Sequence, residues 1–361
     1  MILKNKVTMK DIANRLGVSS VTISKALNDK EGVSEELKEK IKKVANEMGY
    51  RYNTLAKSMK EGLSYNIGVI VAERFTGDFQ SFYLRFYKHI TKALEDYNYY
   101  GILHTLSYEE EKERILPRIY KENRVDGIIV LGQLEPAYID LLKEIDIPII
   151  FLDFYDYHTD IQSVNTDNFY GAYEITNYLI DNGHREIAFV GNIYSTSSIQ
   201  DRFLGYYKSL LEHHIPLKEE YIIKDRNEKG QYIELKFPEV MPTAFVCNCD
   251  QVAYNVVNAL KKMGYKIPDD CSVVGFDNDI YACLTEPNLT TVEVDMNEMS
   301  QTAVRLLINR IQNQAGSPTR VLIPGKIIIR DSVKNLNGNR GKGNRPGEDG
   351  RWMKLKHSSL S

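Results

Sequence analysis

Cysteine is scarce in this chain. Four in 361 residues are too few for a disulfide scaffold and point to a reducing, cytoplasmic setting. No apolar run reaches about 18 residues, so no membrane span is expected. The start, MILKNKVTMKDIANRLG, lacks the apolar stretch of a secretory signal. Catalytic signatures are missing too: there is no G-x-S-x-G, H-E-x-x-H, Walker A or G-x-G-x-x-G. Cys247 and Cys249, even with Cys271 and Cys283, lack the paired spacing of a zinc site. Cys247 also sits in an apolar run, where a free thiol is ordinarily core. His184, in Gly183-His184-Arg185, has neither nucleophile nor second ligand beside it and reads as a turn or helix-end residue. These absences argue against an enzyme, a metal and a resident cofactor.

What is present is an ordinary apolar fraction, 43%, enough to bury large cores and to exclude global disorder. The length suits two or three domains of roughly 100–200 residues. The net charge of -3 hides an asymmetry. Residues 1–62 hold 13 Lys/Arg against 8 Asp/Glu, residues 334–361 hold 7 against 2, and the body between them holds 26 against 39. A basic end on an acidic body points to a polyanion partner for that end.

The first 62 residues read as short helices. Thr8 and Asp11 form a capping box that opens Met9–Leu16, and Gly17 permits a left-handed turn at its end. Ser19 caps a second helix, Ser20–Asn28, and Ser34 a third. On the second helix Ile23, Ala26 and Leu27 face Ile12, Ala13 and Leu16, while Ser20, Val21, Ser24 and Lys25 face outward. That division is the one a recognition helix needs to sit in a major groove, though a small bundle with a solvated polar face has the same spacing. Ser19, Thr22, Ser24 and Asn28 are suited to phosphate contacts.

From Tyr65 the pattern changes to apolar runs of strand length alternating with amphipathic helices: Ile67–Ala72, Ile102–Leu106, Gly127–Leu131, Ile147–Leu152, Ile187–Val190, Phe245–Cys247 and Val273–Phe276. Continuous apolar strands separated by helices mean parallel sheets covered on both faces, and there are too many for one sheet. The fold class expected is α/β: a helix-turn-helix headpiece followed by two Rossmann-like lobes. Residues 334–361, rich in Gly, Asn, Arg and Lys, are expected to be disordered.

The segment VTMKDIANRLGVSSVTISKALNDKEGVSEELKEKIKKVANEMGYRYN resembles the headpiece of the lactose-repressor (LacI/GalR) family. SVNTDNFYGAYEITNYLIDNGHREIAFVGN, TAFVCNCDQVAYNVVNAL, SVVGFDND, PNLTTVEVDMNEMSQTAVRLLINRI and IIIRDSV resemble that family's core blocks in order. The resemblance implies a homodimeric repressor that binds a pseudo-palindromic double-stranded DNA operator. It implies lobes of the periplasmic-binding-protein type around a sugar- or nucleobase-sized effector, a sugar being favoured. A sugar transport protein with the same lobes would have no use for a headpiece. The divisions implied are a headpiece at 6–52, a hinge helix and linker at 53–64, and a core at 65–333. Lobe 1 would span about 65–161 and 292–320, and lobe 2 about 163–290 and 322–333.

Carried over by position, Ser20, Val21 and Lys25 read bases. Lys25 can reach guanine but lacks the fork of an arginine, and Val21 can offer apolar contact to a thymine methyl, or simply be a partly exposed apolar residue. Thr8 joins the DNA-contacting set. NTLAKSMKEG matches the hinge helix, where Asn53, Ala56 and Met59 would meet the minor groove. Met59 either wedges into a base step or packs on its partner helix. The residues expected at an effector cleft follow the strand ends: Phe75, Phe79, Asp153, Phe154, Arg202, Asp250 and Asp277. Asp250 is open to a second role, capping the helix that follows.

Overall fold

The computed structural model describes residues 7–27, 29–50, 61–77, 82–227, 230–314 and 319–337. The chain divides into two compact units, Met1–Leu63 and Ser64–Ser361. The expected hinge segment at 53–60, with Asn53, Ala56 and Met59, lies outside the described residues, as do Asn28 and Phe79.

The first unit is a bundle of α1 (Met9–Leu16), α2 (Ser20–Leu27) and α3 (Glu35–Glu47). Its ends are fixed by local chemistry. The Thr8 backbone N–H donates to Asp11 Oδ2 at 2.8 Å and the Asp11 N–H to Thr8 Oγ1 at 3.3 Å. Gly17 closes α1 at φ 67, a conformation that favours glycine. Ile12, Ala13, Ile23, Ala26, Ile41 and Ala45 form the buried centre.

The second unit holds two six-stranded sheets. In lobe 1 the order is β2 (Tyr100–Leu106), β1 (Asn66–Ala72), β3 (Gly127–Leu131), β4 (Ile149–Leu152), β5 (Gln162–Thr166) and β11 (Arg320–Ile323), all parallel. In lobe 2 it is β7 (Ile222–Ile223), β6 (Ile187–Val190), β8 (Ala244–Cys247), β9 (Ser272–Asp277), β10 (Thr290–Glu293) and β12 (Lys326–Ile328). Only β12 runs antiparallel to its neighbour. In each lobe the chain starts at a strand with neighbours on both sides and then winds away, which opens a crevice at the strands' carboxyl ends.

The lobe boundaries fall later than the sequence suggests. β5 belongs to lobe 1 although it was expected to begin lobe 2, and β11 stays in lobe 1 to Ile323. The three crossovers lie between β5 and the helix Asn168–Asp181, between β10 and the helix Met296–Ile311, and between β11 and β12. β5 escapes detection because QSVNT carries one aliphatic residue, yet all five residues are buried. Two of its polar groups find partners inside: Arg310 Nε donates to Gln162 Oε1 at 2.9 Å, and the Thr166 hydroxyl donates to Met299 Sδ at 3.2 Å; Asn165 Oδ1 accepts no hydrogen bond among the described residues.

The described chain runs past 333 to 337, into the segment expected to be disordered, and residues 338–361 lie outside the described residues. The Lys334 N–H donates to Ser272 Oγ at 2.9 Å and the Leu336 N–H to the Asn182 carbonyl at 2.7 Å. His184 anchors this end. It is 1% exposed, with Nδ1 at 3.0 Å from Thr243 Oγ1 and Nε2 at 3.1 Å from the Lys334 carbonyl. Burial pushes its pKa down to about 4, so it is a neutral structural group at physiological pH.

Lobe 2 depends on one close helix crossing. The helix Ser197–Glu212 meets the helix Asn168–Asp181 at Gly205, where a Cβ would stand 2.1 Å from the Phe169 carbonyl oxygen. Backbone cannot yield as a side-chain tip can. Gly205→Ala is therefore expected to destabilise this unit by about 3 kcal/mol, the upper part of the range for overpacking. Calorimetric melting should show the core transition lowered, and an unchanged transition would mean the crossing opens without cost.

Candidate functional site

Two surfaces carry the chemistry. The first is the outer face of α2. Ser19 Oγ accepts from the Thr22 N–H at 3.0 Å and starts the helix, so the helix N-terminus and its hydroxyls are exposed together. Ser20, Val21 and Lys25 are exposed, and Val21 remains 66% exposed. Thr8, the N-cap of α1, is exposed. Ser24 and Thr22 are half-buried at the edge of the same face. A helix that buries Ile23 and Ala26 while leaving an aliphatic side chain and a lysine in water is shaped to lie against something else.

The second surface is a cleft of about 690 Å3, including its open mouth, at the strand carboxyl ends between the two lobes. Lobe 1 contributes Phe75, Phe82, Tyr83 and Asp153; lobe 2 contributes Thr196, Ser198, Ile199, Arg202, Arg226, Tyr232, Asn248, Cys249, Gln251, Asp277, Asp279 and Tyr281.

Arg202 is the centre of the lobe 2 wall and only 5% exposed. Its Nε donates to Asn168 Oδ1 at 2.7 Å, and its Nη1 donates to the Asn248 carbonyl. Its Nη2 stands 3.2 Å from Asp277 Oδ1, and the guanidinium lies over the Phe276 ring at 3.8 Å. The approach to Asp277 is an ion pair whose angle falls short of a hydrogen bond, so Oδ1 accepts none. Across the cleft, Asp153 Oδ2 accepts from the Tyr83 hydroxyl at 2.9 Å, while its buried Oδ1 also accepts none. Both carboxylates stand on left-handed backbone, φ 67 at Asp153 and φ 107 at Asp277. That conformation is costly for a residue with a Cβ and concentrates at binding sites.

Desolvation raises both acids, Asp153 to about 6 and Asp277 to about 7, against the pull of Arg202. Two carboxyl groups share one guanidinium, so neither is held firmly ionised. A second wall pair is self-sufficient: Arg226 lies 2.7 Å from Asp225 and beside the Tyr232 ring at 5.0 Å. Burial pushes the Cys249 thiol up to about 12, which keeps it protonated and unreactive.

Of the residues expected here, Phe75, Asp153, Arg202 and Asp277 line the cleft. Phe154 does not; it is 1% exposed and stacks on Phe151 at 4.4 Å inside lobe 1. The left-handed turn at Asp153 sends the next side chain back to the core. Asp250 does not reach the cleft wall either. Its Oδ1 accepts from the Thr291 hydroxyl at 2.6 Å and its Oδ2 from the Asp279 N–H at 2.8 Å, so it holds the turn that presents Asp277. Gly275 makes room for it, since a Cβ there would stand 2.1 Å from Asp250 Oδ1. Phe82 and Tyr83, among the aromatics that follow the first strand, also line the cleft, whereas Arg226, Tyr232 and Gln251 carry no sequence signal that points to it. Among the described residues no group of His, Cys, Asp and Glu could hold a metal ion, and no helix is long and apolar enough to cross a membrane.

A helix-turn-helix unit on a two-lobed, cleft-bearing core defines a ligand-responsive DNA-binding regulator. The profile of bacterial regulatory proteins of the lacI family matches residues 8–53, and that of the periplasmic binding protein-like domain matches residues 176–333. A probable HTH-type transcriptional repressor, ExuR of Bacillus subtilis strain 168, is 32% identical over 340 residues, covering 91% of this chain and 99% of its own. The lac repressor dimer bound to operator and the anti-inducer ONPF shares the fold with a TM-score of 0.72 at 23% identity, over 91% of this chain and 100% of that one. A complex of the transcriptional regulator CelR with cellobiose does so with a TM-score of 0.63 at 21% identity and the same coverage. The chain belongs to the lacI family of bacterial transcriptional regulators.

The raised acids make stability depend on pH. The folded core holds protons that the unfolded chain has released. Their contribution is therefore complete below about pH 4 and is lost as pH rises through about 6 for Asp153 and about 7 for Asp277. Asp153→Asn, which keeps an acceptor for Tyr83, should match the parent at pH 4 and exceed it by about 1–3 kcal/mol at pH 8 without ligand. Urea titrations at both values test this; equal differences at the two pH values would refute it.

Proposed function

We propose that the chain is a homodimeric cytoplasmic repressor whose affinity for a pseudo-palindromic operator is set by a sugar bound between the lobes, with no cofactor and no catalytic step. The observation that carries the effector reading is the pair of buried carboxylate oxygens, Asp153 Oδ1 and Asp277 Oδ1, that accept no hydrogen bond in a cleft also holding Arg202 and aromatic faces. Carboxylate acceptors beside a guanidinium donor suit the alternating hydroxyls of a pyranose, and Phe75, Phe82 and Tyr281 can cover its apolar face. The CelR structure with cellobiose and a relative from Alkaliphilus metalliredigens with D-xylulofuranose support a sugar. The lac repressor dimer on its operator supports the assembly and the DNA.

In this reading Lys25 and Val21 meet base edges, and the hydroxyls of Ser19, Ser20, Thr22, Ser24 and Thr8 hold phosphates. Asn28, Asn53, Ala56 and Met59 complete the contacts. The segment at 54–61 is too short to stay helical alone. A change in lobe arrangement would order or melt it and so grip or release DNA.

Lys25→Ala should weaken operator binding by about 1–3 kcal/mol and relax selectivity at one position per half-site. Mobility-shift titrations on operator and random DNA decide this; equal losses on both would make Lys25 a phosphate contact only. Asp277→Asn, nearly isosteric and still able to pair with Arg202 through its amide oxygen, should leave ligand-free DNA affinity within a few-fold. It should also remove the response to sugar, a coupling typically worth about 1–3 kcal/mol. A normal response at ordinary sugar concentrations would take Asp277 out of the effector site. Arg202→Ala is the poorer probe, because it strands a buried acid and Asn168 at a cost of about 3–5 kcal/mol.

A further inference from the structure

The cleft does not end at the compartment around Arg202. A second cavity of about 1050 Å3, open to solvent, shares Phe75, Thr196 and Tyr232 with it as common walls. The outer one is built rather than a bare mouth. Tyr194 stands at its rim, a large ring left 81% exposed. Gln133 takes the Ser197 N–H and hydroxyl on its Oε1, both at 3.1 Å, which leaves its amide hydrogens without an acceptor among the described residues.

The cations of both compartments are already paired, and the exposed Glu135 adds negative charge to the outer wall. Arg74 pairs with Glu111, donates to the Gln133 carbonyl at 2.6 Å and lies over the Phe75 ring at 4.9 Å. In the inner compartment two acids share Arg202. An anionic ligand would meet excess negative charge at one end and a neutralised arginine at the other.

Resting on the sugar reading above, the geometry points to a neutral disaccharide as the effector, one ring against Asp153, Arg202 and Asp277 and the other on Tyr194 beside Gln133. The shared wall of Phe75, Thr196 and Tyr232 is where the glycosidic bond would pass. Tyr194 and Gln133 are then specificity-determining residues for the outer ring.

The test is isothermal titration of the full chain with cellobiose, maltose, lactose and melibiose, with glucose and galactose, and with glucuronate and galacturonate. One disaccharide is expected to bind at least about 30-fold more tightly than either of its component monosaccharides, with no binding of the uronates. Tyr194→Ala should weaken that disaccharide by about tenfold or more and leave monosaccharide affinity unchanged. A monosaccharide within about threefold of the best disaccharide, or an unaffected Tyr194→Ala, overturns the two-ring assignment and leaves the sugar reading standing. Uronate binding overturns the neutral-ligand assignment. No binding by any of these sugars overturns the sugar reading itself and this assignment with it.

Discussion

The buried guanidinium of Arg202 is the constraint around which lobe 2 is arranged. It ties together the first residue of one helix through Asn168, the end of β8 through the Asn248 carbonyl, and the end of β9 through Asp277 and the Phe276 ring. A charge 5% exposed costs several kcal/mol to desolvate and is tolerable only when it is both ion-paired and hydrogen-bonded, as Arg202 is to Asp277, Asn168 and Asn248. Making these contacts fixes where three separate chain segments end. The cleft wall is thus a by-product of neutralising one arginine, and the position of Asp277 is set before any ligand arrives.

The same arrangement leaves the site short of ideal on purpose-relevant atoms. Asp153 and Asp277 keep one oxygen each without a hydrogen bond, sit on left-handed backbone and titrate near 6 and 7. Each feature costs stability in the free protein. They are supported from behind by fully satisfied groups: Asp250 holds the turn after β9, and Asp225 takes the Asn192 N–H at 2.8 Å and Asn248 Nδ2 at 3.0 Å. A ligand hydroxyl that donates to either carboxylate removes a penalty already present, so binding starts from a pre-organised and slightly destabilised surface.

Much of this was legible in the residues, and the failures have physical causes. The headpiece helices are written twice, in capping side chains and in apolar spacing, so both signals agree with the observed ends of α1 and α3. The continuous apolar strands of the two sheets were equally plain. β5 was not, because its buried polar residues find partners far away in sequence, at Arg310 and Met299. β10, β11 and β12 are too short or too mixed to show a period. At the site, position after a strand end identified Asp153 and Asp277. It could not tell which neighbouring side chain turns inward, which is why Phe154 and Asp250 were misplaced. Arg226 and Tyr232 come from an irregular stretch closed by a single bridge between them, with no periodicity to announce it.

The lobes also touch directly, and these contacts bear on how a sugar could switch the protein. Asp201, next to Arg202 in sequence, takes the Tyr155 hydroxyl at 3.0 Å and Arg320 Nη2 at 2.8 Å, with Arg320 stacked over the Tyr155 ring at 3.5 Å. Arg85 reaches Asp279 at 3.2 Å, and Gln133 receives Ser197. Three separate polar bridges therefore join the lobes directly. A sugar that merely fits this arrangement adds affinity but shifts nothing unless the alternative arrangement binds it less well. The differential must come from contacts that need both lobes at once, and Asp153 and Asp277 line the cleft from opposite lobes. A ligand bridging them gains two hydrogen bonds only in the apposed state. The direct bridges set how far the resting equilibrium already leans that way, and hence how much of the ligand's binding energy is left to move the DNA-binding end.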